Sequence, residues 1–182
     1  MKKIKTIYWI IVLSVITGIF IQIMPASDLN QGKLIMDNKN FETAVFAGGC
    51  FWCVEAAFEG HKGVIDVVSG YTGGHVSDPG YEQVTSGTTG HFEAVKINFN
   101  PDIITYKELL KIFFQQIDPT DFSGSFVDRG SQYSSAIFYQ NDTQKKEALK
   151  TIDKINQSKL FNTPVATQVL KFKTFYDAEV YH

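Results

Sequence analysis

Thr43-Ala44-Val45-Phe46-Ala47-Gly48-Gly49-Cys50-Phe51-Trp52-Cys53-Val54-Glu55-Ala56-Ala57-Phe58 changes secondary structure part-way along. Thr43 to Ala47 reads as a short apolar strand, and Gly48-Gly49 ends it, because a glycine pair turns sharply and lets the backbone approach a ligand closely. Phe51 to Glu59 then reads as a helix, with Val54, Ala57 and Phe58 on one face and Gly60 as its stop. Cys50 stands where strand becomes helix. Free N–H groups and the positive end of the helix dipole favour a thiolate there, which predicts a lowered pKa. Cys53 follows one turn later on the same face, a spacing that permits a disulfide after modest adjustment. Two buried cysteines acting as small hydrophobes are the plainer alternative.

Further strands and helices lie on either side in the sequence. Val64 to Val68 is a β-branched strand, and Val95, Ile97 and Phe99 alternate with Lys96 and Asn98 as a half-buried strand. Thr105-x-x-Glu108 is a capping box that opens a helix through Leu109, Leu110, Ile112 and Phe113. Ala136 to Tyr139 reads as a strand, Asp142 as the cap of an amphipathic helix carrying Leu149, Ile152 and Ile155, and Pro164 to Phe172 as a last strand. Tyr71–Gly90 and Asp118–Gly130 read as long polar loops, and loops of that length in a small domain are often functional. Strands and helices mix without strict alternation. The expected class is α+β, a two-layer sandwich with a mostly antiparallel mixed sheet and flanking helices, preceded by an N-terminal hydrophobic helix.

The chain has 182 residues, 44% of them hydrophobic and 20% charged, which is ordinary globular usage for one domain and an appendage. Two cysteines exclude a disulfide scaffold, and a net charge of −2 gives no basic excess for nucleic acid. His61, His75, His91 and His182 are scattered, so no metal site is expected. Residues 1–27 differ in kind. Lys2, Lys3 and Lys5 precede an apolar run from Ile7 to Met24, which as a helix spans roughly 27 Å. Met24-Pro25-Ala26 is a poor cleavage signal. This segment is expected to anchor the chain, with cleavage as the alternative. The rest would then lie outside the cytoplasmic membrane, anchored by residues 7–24 or, once cleaved, secreted or periplasmic. Residues 28–40 read as a linker and 41–182 as one domain. Without the three lysines, 14 basic side chains face 19 acidic ones, so that part would not adhere to an anionic membrane by charge.

Glu93 shares the parity of Val95, Ile97 and Phe99 and should face the core. A carboxylate held there is desolvated, its pKa rises, and it becomes a plausible proton donor. A strand-end glutamate turned to solvent is the alternative. Tyr81 and Tyr133 sit in or beside the two loops and could donate to a substrate oxygen, or simply cap the core. Asp128-Arg129 could be a surface pair.

Together these pieces resemble a known family. Gly49-Cys50-Phe51-Trp52 with Val54-Glu55, Ser69-Gly70-Tyr71-Thr72-Gly73-Gly74, Tyr81-Glu82-x-Val84, Gly90-His91-x-Glu93-Ala94-Val95, Asp118-Pro119-Thr120 and Asp128-x-Gly130-x-Gln132-Tyr133 look like peptide methionine sulfoxide reductase of the A type. The blocks run in order from about Phe46 to His182. The resemblance implies an α+β sandwich and an enzyme that reduces the S epimer of methionine sulfoxide, free or in proteins. It implies Cys50 as nucleophile, Phe51 and Trp52 as the apolar wall for the S-methyl group, and Glu93 as the acid. Tyr81 and Tyr133 would be hydrogen-bond partners of the oxygen, and Asp128 a supporting polar residue. The expected product on the enzyme is a sulfenic acid, which condenses with a nearby thiol. Ser134 stands where many relatives have arginine, Val127 where some have cysteine, and no cysteine lies near the C-terminus. Cys53 is therefore the one internal candidate for the resolving thiol. The expected reductant is external, thioredoxin-like in the cell or dithiothreitol in vitro, with no organic cofactor or metal; a monomer is expected. A membrane-anchored thioredoxin-type oxidoreductase using Cys50-x-x-Cys53 is the alternative, with Pro164 imitating its active-site proline. A non-catalytic domain that binds oxidised or Met-rich partners is a third reading.

Overall fold

The computed structural model describes residues 40–182. The expected anchor or signal segment, 1–27, and the linker as far as residue 39 lie outside the described residues. Among those described, no helix is long and apolar enough to cross a membrane. In chain order the elements are β1 (Glu42–Ala47), α1 (Phe51–Phe58), β2 (Val64–Thr72), α2 (Tyr81–Thr85), β3 (Phe92–Phe99), α3 (Tyr106–Gln116), β4 (Gly124–Ser125), β5 (Asp128–Arg129), β6 (Ala136–Tyr139), α4 (Asp142–Ser158), β7 (Gln168–Lys171) and β8 (Phe175–Asp177). A single 3₁₀ turn, Ser131–Tyr133, precedes β6.

Six strands form one sheet in the order β7-β6-β1-β3-β2-β8. Every neighbouring pair is antiparallel except β6 and β7, so the sheet is mixed and mostly antiparallel, as the sequence led us to expect. β1 and β3 lie in its middle, and that explains the unbroken apolar run of Ala44 to Ala47: a central strand covered on both faces has no wet side. Ala44 and Phe46 of β1 join Val95, Ile97 and Phe99 of β3 under α1 and α3, against Phe58, Leu109 and Phe113. Phe46 stacks on Phe113 and Phe58 with ring centroids 4.9 and 5.8 Å apart. Each ring so buried contributes about 1.5–3 kcal/mol. Val45 and Ala47 face the other way and pack with Ala94 and Phe138 beneath Phe172 and Phe175. Lys96 points to this side too, where it pairs with Asp177 at 2.8 Å and covers the Phe175 ring.

Several expectations need correction. β2 runs on through Thr72, because Tyr71 and Thr72 pair with Glu93 and Phe92 on one side and with β8 on the other. The first loop contains α2 and is pinned by buried His91, whose Nδ1 accepts from the Gly74 N–H at 3.2 Å while Nε2 bonds the Val76 carbonyl at 2.7 Å. The second loop folds into the β4–β5 hairpin. Asn141, not Asp142, caps α4: its side chain accepts from the Gln144 N–H at 2.9 Å. Leu149 is 45% exposed, and the face that α4 buries carries Gln144 and Ala148. The last strand expected over 164–172 shortens to β7, with β8 following it. The capping box is present with both arms made, Thr105 accepting from the Glu108 N–H and Glu108 from the Thr105 N–H.

Candidate active site

The β1–β3 register builds the site. β1 ends with Ala47 opposite Ala94, so the chain leaves the sheet at Gly48 beside Glu93. Gly49 adopts φ +98°, and a Cβ there would meet the Ser125 Cβ at 2.7 Å, so only glycine fits this turn. Cys50 is the N-cap of α1, and the next N–H, that of Phe51, donates to Glu93 Oε2 at 3.1 Å. Glu55 on the same helix accepts a hydrogen bond from the Ser69 hydroxyl on β2, which fixes α1 against the sheet.

Glu93 is 2% exposed, on the core face as its parity required. Burial pushes its carboxyl up to about 7; the Phe51 N–H opposes this, the charge of Asp128 adds to it, and the Tyr133 hydroxyl draws it back. Cys50 departs from expectation. Burial raises its thiol above the ordinary value, and the N–H groups of Cys53 and Trp52 only partly offset that. The helix-start donors are present, but desolvation outweighs them, and the Cys53 and Glu93 charges push the same way. Tyr133 is pushed up to about 12 by burial and then by the Glu93 charge; Tyr81 is raised by burial, then by Glu93 and Cys50. The two phenols, the thiol and the carboxyl thus lie within one another's fields. Gln132 holds the loops together by donating from Nε2 to the Thr85 carbonyl at 2.9 Å.

The two aromatic wall residues divide. Phe51 is fully buried, ringed by Trp52, Tyr71, Tyr81 and His182 at centroid distances of 6.0, 5.9, 6.3 and 5.1 Å, whereas Trp52 is 51% exposed. Tyr71, Glu179 and His182 were not singled out in the sequence. Glu179 accepts from the Tyr71 hydroxyl at 2.8 Å and from the Tyr81 N–H at 2.7 Å, and His182 lies against Tyr81 and Trp52. Cys53 is exposed and Cys50 partly so, and both thiols are free. Both line a cavity of ≈ 140 Å³ that also reaches Gln116 and Asp128. Among the described residues no group of three or more His, Cys, Asp or Glu side chains is gathered as a metal site.

The Glu93 carboxyl gives a stability test. Its folded value of about 7 exceeds the ordinary 4.5, so between those pH values the folded state holds more protons than the unfolded one. Stability from this group is full below pH 4.5 and lost as pH rises through 7. Glu93→Gln should therefore match wild type in urea unfolding at pH 4.5 and exceed it by up to about 3 kcal/mol at pH 8. Identical curves at pH 8 would mean that the carboxylate is not desolvated.

A family model described as peptide methionine sulfoxide reductase matches residues 42–182. The chain is 54% identical over 141 residues to the peptide methionine sulfoxide reductase MsrA of Bacillus subtilis, covering 78% of this chain and 80% of that protein. Among solved structures it is similar to reduced Mxr1 from Saccharomyces cerevisiae, with TM-score 0.73, 31% identity, and coverage of 78% of this chain and 82% of that one. Mxr1 in complex with Trx2 also matches, with TM-score 0.56, 25% identity, and coverage of 76% and 81%.

Proposed function

Because the chain belongs to the peptide methionine sulfoxide reductase family and is an oxidoreductase of that type, we propose that Cys50 attacks the sulfoxide sulfur while Glu93 protonates its oxygen. The observation that carries this is a buried carboxyl titrating at about 7, one hydrogen bond from the residue that follows the nucleophile. A sulfoxide sulfur is electrophilic only as its oxygen gains a proton, so a soft nucleophile and an acid must act together. Tyr81 and Tyr133, both kept protonated, donate to the same oxygen. Phe51 and Trp52 form the apolar wall for the S-methyl group, with Trp52 exposed at the rim where a peptide would enter. Asp128 keeps the Glu93 proton in place through its charge. The substrate is the S epimer of methionine sulfoxide, free or in proteins. In balance, the sulfoxide S–O bond breaks, methionine leaves with two more electrons, and Cys50 gains the oxygen as a sulfenic acid.

Cys53 then displaces that oxygen to give a Cys50–Cys53 disulfide, and a thioredoxin-like donor reduces it. The two thiols lie one turn apart at a helix start and share a cavity, which supports this reading. Membership in the family argues against the thiol–disulfide oxidoreductase alternative, which also gives no reason for a buried Glu93. Mass spectrometry after one equivalent of methionine S-sulfoxide tests the assignment. Wild type should lose two hydrogens. Cys53→Ser should turn over once, keep one added oxygen, and stall with a thioredoxin-type donor while dithiothreitol restores turnover. An added oxygen that persists in wild type would remove Cys53 from the mechanism.

A further inference from the structure

The β4–β5 hairpin carries a hydroxyl that the reduction step does not use. Ser125 is 3% exposed, and its Oγ has no hydrogen-bond partner. A buried hydroxyl left unpaired costs about 1–3 kcal/mol, so such an atom calls for an explanation. Ser125 packs on the backbone just before the nucleophile, since a Cβ on Gly49 would lie 3.2 Å from its Oγ. It lines the same ≈ 140 Å³ cavity as Cys50 and Cys53. Glu93, Tyr81 and Tyr133 are not among the residues that bound this cavity. The sulfoxide's proton donors therefore do not line the space that Ser125 lines, although Asp128, whose charge acts on Glu93, does. The hairpin is held there at some conformational cost: Phe126, at its tip, takes φ +53°, which a bulky side chain rarely adopts.

We propose that Ser125 is a catalytic residue of the second step, its hydroxyl donating a hydrogen bond to the sulfenic oxygen on Cys50 while Cys53 attacks, and that the cavity receives the departing water. The idea rests on Cys53 being the resolving thiol. In this step the Cys53 thiol gives up its proton and its sulfur bonds to Cys50 Sγ. The Cys50 S–O bond breaks, and the oxygen leaves as water with its own hydrogen and that proton. Cys50 has already lost two electrons to the sulfoxide, so no further oxidant is needed, and Ser125 keeps its own proton. A space of this size accommodates a water molecule, and Gln116, Ser125 and Asp128 supply polar groups in its largely apolar lining. The donor stabilises negative charge as it builds on the leaving oxygen, the same physics as an oxyanion hole.

Ser125→Ala removes Oγ and keeps the Cβ that packs on Gly49. Reduced enzyme receives one equivalent of methionine S-sulfoxide without added thiol and is quenched over time, with dimedone capturing the sulfenic acid and mass spectrometry counting the disulfide. Loss of one hydrogen bond from the transition state should lengthen the sulfenic acid's lifetime about tenfold. The thermal midpoint of the reduced variant should not fall, because the missing hydroxyl had no partner; a purely structural hydroxyl would move the midpoint and not the lifetime. Equal lifetimes in wild type and Ser125→Ala overturn the proposal while leaving Cys53 in its role. A wild type that never forms the disulfide overturns the reading of Cys53 and this proposal with it.

Discussion

Replacing Cys50 with serine should abolish methionine sulfoxide reduction, with dithiothreitol in excess as well as with a thioredoxin-type donor. The reason is chemical before it is geometric. A thiolate takes the sulfoxide oxygen and becomes a sulfenic acid, an accessible oxidation state of sulfur. A serine alkoxide doing the same would have to become a hydroperoxide, which a sulfoxide is too weak an oxidant to make. Cys53, the chain's other cysteine, cannot substitute, because it is exposed on the helix while the Phe51 N–H bond holds Glu93 at the Cys50 end. Assay of free methionine S-sulfoxide by released methionine measures the effect, and substantial remaining turnover would transfer the nucleophile's role elsewhere.

Glu93→Gln should slow the reduction step by about 10²- to 10⁴-fold, the usual loss for a positioned acid. The pH profile carries the sharper test. Glu93 titrates at about 7 and Cys50 above its ordinary value, and the Glu93 charge opposes ionisation of Cys50. Between the two values the pair holds one proton, and the reactive arrangement puts it on the carboxyl and the negative charge on sulfur. Below pH 7 both groups are protonated and the thiol is a poor nucleophile; well above it both are bare and no acid remains. Single-turnover rates in wild type should therefore rise through about 7 and fall again in the alkaline range. In Glu93→Gln the rise at 7 should vanish, and the rate should instead follow Cys50 ionisation, moved to lower pH because the opposing charge is gone. A variant with the wild-type rate and profile would show that the proton comes from another group.

Local rules read the sequence well where one physical effect dominates. Alternation along Val95, Ile97 and Phe99 put Glu93 on the core face, and it is buried there. The Thr105–Glu108 box is satisfied on both arms. Adjacent residues of equal capping ability were less decisive: Asn141 and Asp142 both suit an N-cap, and pattern alone does not choose. Phe126-Val127 gives no turn signal, yet it forms the tip of a hairpin whose strands are two residues long. Tyr71, Glu179 and His182 were missed because their roles depend on pairings between distant segments, with Glu179 reaching Tyr71 across 108 residues of sequence. The pKa of Cys50 was misjudged for another reason. It is a difference between donors, which spacing reveals, and burial, which only the packed structure reveals.

The β1–β3 ladder joins residues about fifty positions apart, and Glu179 ties a far later segment to Tyr81. Contacts of such separation are the slow ones to form, since the loop-closure entropy is lost before any pairing repays it. Until that register closes, Cys50 is a free thiol on a short helix with no carboxyl beneath it. Chemical competence therefore belongs to the fully wound topology and not to the Cys-x-x-Cys segment. A partly folded chain carries the Cys50 thiol without the buried carboxyl proposed as its acid, and so exposes an oxidisable sulfur before the arrangement proposed for catalysis exists.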